Sequence, residues 1–351
     1  MPTKRPAKRR PTKKRPSLPR VRTSERLSFK TCEQQWYWNF VDRLKPTADR
    51  PALRFGDLIH RSLEQYYKPG LKRGPHPAET FEKLYVEDLD KELARIKVKT
   101  PEEEWLEALD LGIAMLHGYV EMYKERDKEY KIIASEQTFE YVVRDSEGKA
   151  VCLYVGTFDG VWQRRSDKRL WFKEFKTTGS SVNQMMNGPL AMDEQAGSYW
   201  TFGPLWLREQ GMLGPAQDLD GILYTFLRKS MPNPDWNFNA LGQKLNQDGS
   251  VSKSQPGAYF GRQPVYREQA SRDRMIQRVI IEARRMQAIR SGEATAIKNP
   301  GKLFMPNCTF CNYKDMCELH EAGQDWQSMA KMTMQNWNPY DAHEEKASDH
   351  K

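Results

Sequence analysis

The chain has 351 residues, enough to bury a sizeable core as one large or two small domains. At 38% hydrophobic and 29% charged, with no apolar run as long as a membrane span and no apolar segment behind the basic start, it reads as neither a membrane protein nor a secreted one, and the expected location is the cytoplasm. The net charge of +9 is concentrated in residues 1–22, which hold ten Lys or Arg and no acid, while the remainder carries 46 basic against 47 acidic residues.

That first segment has Pro every few residues and almost nothing to bury, so a disordered arm is expected over 1–22. Two readings of it stay open: a phosphate-seeking arm for nucleic acid, and a solvated tail without a specific partner. Residues 24–40 read as a helix containing Cys32 and the aromatic group Trp36, Tyr37, Trp38 and Phe40; residues 46–51 read as a linker. A second helix follows over 52–67, in which Gly56, His60 and Glu64 recur every four residues and share one face. Residues 78–96 and 102–128 read as two amphipathic helices, a helical insertion on the main domain.

A strand, KIIASEQTFEYVV, then turns at residues 145–148 into two more, AVCLYVGTFDGVWQ and LWFKEFKTT, joined by a charged turn over 164–168. Residues 190–202 read as a helix with Gln195 and Tyr199 one turn apart and Gly203-Pro204 to end it; GILYTFLR reads as a further strand. Residues 231–262 are polar and aperiodic, as in a long functional or mobile loop. A basic helix over 267–290, a cysteine-bearing loop over 300–320 and a polar, partly helical tail over 321–351 complete the chain. The fold class is α/β, a mixed central sheet flanked by helices, in one domain spanning 23–320.

The chemistry collects on the hairpin. Pairing the two strands brings Asp159 beside Glu174, and alternation puts Glu174 and Lys176 on one face and Phe175 on the other, toward the core. Two carboxylates and an ammonium on one face can hold a divalent cation, Mg²⁺ or Mn²⁺, and a water against a phosphodiester. The residues alone therefore indicate a metal-dependent phosphodiester hydrolase. Taken singly, His60 is a ligand or a packed or surface histidine, and Gln195 with Tyr199 is a packing pair. The five cysteines, odd in number, argue against a disulfide framework. Cys308-x-x-Cys311 and Cys317 supply three thiolates, Cys32 is the candidate fourth, and Cys152 reads as a small buried hydrophobe. Four thiolates suit an iron–sulfur cluster or a structural Zn²⁺, though zinc modules usually pair their ligands locally.

Taken in order over residues 24–320, the Gly56-x-x-x-His60 helix, Asp159 with Glu174-Phe175-Lys176, the Gln195-x-x-x-Tyr199 helix and the cysteine set resemble the PD-(D/E)xK nuclease superfamily. Within it the resemblance is to the RecB-like, AddB-like and CRISPR-adaptation-type nucleases, and as a whole to single-domain exonucleases encoded by bacteriophages. The resemblance implies a restriction-endonuclease-like core and a DNA exonuclease. In it Asp159, Glu174 and Lys176 are catalytic, and His60, Asp159, Glu174 and the Phe175 carbonyl bind Mg²⁺ or Mn²⁺. It also implies that Gln195 and Tyr199 contact the DNA and that Cys32, Cys308, Cys311 and Cys317 hold a [4Fe–4S] cluster, with Zn²⁺ as the alternative. Glu136 matches a glutamate that precedes the catalytic aspartate, and either supports the site or is a strand-surface acid; Glu64 supports the site or lies on a solvated face. The basic arm and the 267–290 helix are expected to add salt-sensitive affinity for DNA. Recombination or replication proteins are the partners such a role would bring, and the oligomeric state is not indicated. Two rivals remain: a non-catalytic DNA-binding accessory protein that keeps the fold, and a zinc-stapled structural protein.

Overall fold

The computed structural model describes residues 18–47, 51–96, 102–231, 233, 235–239, 243–302 and 305–341, so most of the arm expected over 1–22 lies outside it. The described chain enters the sheet at β1 (Arg20–Val21) and continues into α1 (Thr23–Thr31). The single helix expected over 24–40 breaks at Cys32, where the backbone is extended (φ −164°, ψ 118°). It resumes as α2 (Glu33–Trp36) and passes into a π-helical turn over Tyr37–Val41. Long-range bonds account for the break: the Glu33 carboxylate accepts from the Ile297 N–H, and the Gln34 N–H donates to the Ile297 carbonyl.

A short strand, β2 (Leu44–Pro46), meets the expected linker at Pro46, and residues 48–50 of that linker lie outside the described set. The second expected helix is α3 (Pro51–Tyr66), and the helical insertion comprises α4 (Pro77–Ile96) and α5 (Glu103–Tyr123). After it, β3 (Tyr130–Arg144) and β4 (Ala150–Arg164) pair antiparallel along their whole length. β5 (Leu170–Thr178) pairs with β4 only from Gly160↔Lys173 to Gln163↔Leu170.

The chain then crosses through α6 (Val182–Met186) and α7 (Glu194–Glu209) to β6 (Gly221–Arg228), which lies parallel to β5. β7 (Phe260–Val265) adds antiparallel to β6 where an open loop was expected up to residue 262. Pro264 obscures that strand in the sequence. It is tolerated because β7 ends the sheet order β1-β4-β5-β6-β7 and an edge strand can lack an N–H.

The helix expected to stop at Gly203-Pro204 instead runs on to Glu209. Gly203 is there for space, since a Cβ would lie 2.0 Å from the Phe172 ring. Pro204 deprives the Trp200 carbonyl of its helical donor, and Arg272 Nε supplies one at 2.8 Å. Arg272 belongs to α8 (Gln269–Arg290). A two-stranded ribbon of β8 (Gly301–Lys302) and β9 (Met305–Pro306), then α9 (Lys314–Glu321) and α10 (Trp326–Thr333), lead to β10 (Met334–Asn336). β10 pairs antiparallel with β2, which ties the tail to the N-terminal region.

The sheet is covered on both faces. Phe158, Phe172, Tyr199, Met275 and Val279 belong to the core under α7 and α8; Ile59, Phe81, Tyr119, Trp162 and Phe175 belong to the core under α3–α5. A strand packed on both faces reads as a continuous buried run, as Leu170 to Phe175 does even though it includes Lys173 and Glu174. Among the described residues no helix is long and apolar enough to cross a membrane.

Candidate active site

The last ladder pair between β4 and β5 is Gly160↔Lys173, and the next in register would be Asp159 and Glu174. The strands part at this point. Asp159 takes over the ladder with its side chain: Oδ2 accepts from the Phe175 N–H at 2.6 Å. Its other oxygen lies 3.2 Å from His60 Nδ1. His60 reaches this position because α3 lies close against β5 at Gly56, where an added Cβ would stand only 3.3 Å from Thr177 Oγ1. Alternation along β5 sends Phe175 into the core below α3, its ring stacked 5.7 Å from that of Tyr67, and leaves Glu174 and Lys176 on the α7 side.

Glu174 is 1% exposed; Lys176 Nζ forms an ion pair with Oε1 at 2.5 Å, and Oε2 is buried without a hydrogen-bond partner. Burial, then the charge on Asp159, pushes its carboxyl up to about 7. Burial alone would raise Asp159 too, but His60, Lys176 and the Phe175 N–H hold it below the usual aspartate range. The imidazole responds in the opposite sense: Asp159 and Glu174 outweigh burial and raise His60. Lys176 is raised in the same way, so its ammonium stays charged against the pull of burial. The result is a half-buried cluster of alternating charges with a buried, under-bonded carboxylate at its centre. Two carboxylates and an imidazole form a donor set suited to a hard divalent cation. In the arrangement described, these groups pair with one another. Among the described residues no three His, Cys, Asp or Glu side chains stand close enough together to hold a metal ion.

Lys176 Nζ also donates to Gln195 Oε1 at 2.5 Å, Gln195 Nε2 to the Tyr199 hydroxyl at 2.6 Å, and that hydroxyl to the Thr157 carbonyl at 2.5 Å. Tyr199 is 3% exposed, which leaves no ring face for a base to stack on. The first turn of α7 is held by Asp193, whose Oδ1 accepts from the Ala196 N–H at 2.8 Å and from the Tyr224 hydroxyl at 2.7 Å. Sequence reasoning passed over Asp193, although an aspartate ahead of a helical run is an N-cap signal. Glu136 is the β3 residue between the pairs Ser135↔Gly160 and Gln137↔Phe158, opposite Asp159, and its backbone is left-handed at φ 38°. Glu64 is half-buried one turn beyond His60. Most arginines of the basic helix α8, which is expected to add affinity for DNA, are ion-paired. Its Arg272, Arg278, Arg284, Arg285 and Arg290 pair with Asp218, Glu194, Asp145, Glu33 and Glu25.

The four cysteines separated by most of the chain line one cavity of about 380 Å³, together with Trp38, Lys298 and Asn299. Cys32 reaches it from the break after α1, where its Sγ accepts from the Asn299 N–H at 3.4 Å. Cys308 and Cys311 come from the turns before α9, and Cys317 from α9 itself. Burial and then the other three sulfurs push up the Cys317 thiol against the pull of Lys298, so each of the three lies within electrostatic reach of Cys317. Cys152 is buried in the sheet core, as expected of a small hydrophobe.

No curated protein sequence matches the chain. Among solved structures, a crystal structure from Eubacterium rectale described as a candidate exonuclease matches 84% of this chain and 86% of its own at 9% identity, with a TM-score of 0.44. The family model of the PD-(D/E)XK nuclease superfamily matches residues 24–318, a span that holds His60, Asp159, Glu174, Lys176 and all four clustered cysteines, and the chain belongs to that superfamily.

Proposed function

We propose that this nuclease is a metal-dependent DNA exonuclease whose chain ends are clasped by a [4Fe–4S] cluster. The observation that carries the first part is Glu174: a buried carboxylate beside Asp159 and His60, with Lys176 on Oε1 and no partner at Oε2, is costly unless a further cation completes it. His60, Asp159, Glu174 and the Phe175 carbonyl are the groups that would hold Mg²⁺ or Mn²⁺. When bound, that ion supplies Lewis acidity to the scissile phosphate and an acidified water. The chain's own residues do the rest. The Phe175 N–H fixes the Asp159 carboxylate, so the oxygen toward His60 has one orientation. Lys176 spends two of its three N–H bonds on Glu174 and Gln195, leaving the third for the attacking water or a phosphate oxygen. Glu174 is buried between the layers above and below β5, which strengthens its charge interactions, while His60 and Lys176 stay partly open to solvent.

The cysteine cavity supports the second part. Its four thiols, drawn from both ends of the described chain, line one cavity and would supply the four sulfurs that an iron–sulfur cluster requires. The decisive assay follows 5′- and 3′-labelled single- and double-stranded DNA with Mg²⁺ or Mn²⁺. Wild type should shorten the labelled strand, and Glu174→Ala and Lys176→Ala should lose roughly 10²–10³-fold in rate; wild-type rates in either variant would sink the assignment. Protein purified without oxygen should be brown and contain iron, whereas a colourless protein containing zinc would overturn the cluster.

A further inference from the structure

Gln195 and Tyr199 are expected from sequence to touch the DNA, but their bonds run inward. We propose that they form a one-way hydrogen-bond relay that holds the Lys176 ammonium in place, with Tyr199 a positioning residue that acts only through Gln195. The direction is set at the far end. A backbone carbonyl can only accept, so the Thr157 carbonyl, 2.5 Å away, takes the single proton of the Tyr199 hydroxyl. Burial raises that phenol well above the usual tyrosine range, and the proton is not lost at working pH. The hydroxyl oxygen is left as an acceptor, and the Gln195 group 2.6 Å from it must be the NH₂. The amide oxygen then faces Lys176 at 2.5 Å. Turned over, the amide would set its NH₂ against an ammonium and its oxygen against a lone pair. One buried hydroxyl therefore selects the only amide orientation that binds the lysine.

The surroundings make the relay rigid. The Tyr199 ring packs edge-on to Phe158 and Phe172, with centroids 5.1 and 6.1 Å apart. Asp193 fixes the turn of α7 that carries Gln195, and its own backbone carbonyl accepts from Arg267. With Glu174 on the other side, Lys176 is held from two directions.

This inference rests on the nuclease reading, and the test separates the two. Tyr199→Phe, Gln195→Glu and the double variant are compared with wild type in two measurements: DNA affinity by fluorescence anisotropy in Ca²⁺, and single-turnover cleavage at saturating DNA and Mn²⁺. Tyr199→Phe is expected to slow cleavage of bound DNA roughly 10–100-fold while affinity stays within about twofold. In Gln195→Glu a carboxylate accepts from Lys176 whichever way it turns, so adding Tyr199→Phe should cost less than about twofold. An equal Tyr199→Phe cost in both backgrounds, or weakened DNA binding at an unchanged cleavage rate, would overturn the relay. Circular-dichroism melts identify a variant that fails to fold, in which case Tyr199→Trp with Gln195→Glu repeats the comparison. A wild type that cleaves no DNA removes the nuclease reading and the relay with it.

Discussion

Two lysines three residues apart on β5 show how much a single position on a strand decides. Lys176 faces α7, is ion-paired with Glu174 and stays charged. Lys173 faces the other core, where its Nζ donates to Thr225 Oγ1 and to the Leu223 and Glu174 carbonyls, 3.9 Å from the centre of the Phe175 ring. Burial, then the nearby Arg262, pushes that ammonium well below the usual lysine value of 10.5. The folded chain therefore binds this proton less readily than the unfolded one. Protonation opposes folding, and the penalty is absent above pH 10.5 and grows as the pH falls toward the folded value. Lys173→Met should melt higher than wild type at pH 7 and close to it near pH 10 in thermal scans; a gain that instead grew with pH would contradict this account. The sequence Lys173-Glu174-Phe175-Lys176 made the alternation legible, and with it which lysine serves the site. It did not show that the second face would be buried as deeply as the first.

At the scale of elements, α7 was legible as a helix and misread at its end. Gly203-Pro204 is a stop signal only when the freed carbonyl has no other donor, and here Arg272 arrives from α8. Arg272→Met should cost about 1–3 kcal/mol in urea unfolding, because the Trp200 carbonyl is left buried and unpaired. In a Pro204→Ala background the cost should shrink, since the restored N–H of residue 204 can reach that carbonyl. An unchanged cost would place the role of Arg272 in its ion pair with Asp218 alone. The break at Cys32 is a similar case. Residues 24–40 have helical composition throughout, and only the loop around Ile297 draws the chain out of the helix.

Across the whole molecule, α1 is a strut between the two sites. Its C-terminal end leads directly to Cys32. Its Arg26 is fully buried between Glu194 of α7 and Glu282 of α8, at 3.0 and 2.5 Å, and Thr23 bonds to Tyr154 and Ser198. Glu194 precedes Gln195, so the cysteine cavity and the lysine relay share one support. Cys32→Ser should lower the melting temperature and speed hydrogen exchange in α1 and the first turn of α7 together, with α4 and α5 little changed. Exchange that rose only around Cys308 to Cys317 would show the strut to be independent of the clasp.

The chain by itself determined the hairpin, the face shared by Glu174 and Lys176, the helix that presents His60 and the grouping of Cys308, Cys311 and Cys317. These follow from side-chain period, turn chemistry and spacing, which act over a few residues. The tertiary structure alone decided that β4 and β5 part so that the Asp159 side chain takes the Phe175 N–H, that Gln195 and Tyr199 turn inward, and that five of the six arginines of α8 pair with acids from across the chain. It also made a strand of residues 260–265. The reason is common to all four. A group taken out of water must find a partner, and the partner is set by which layers meet, not by what lies nearby in the sequence.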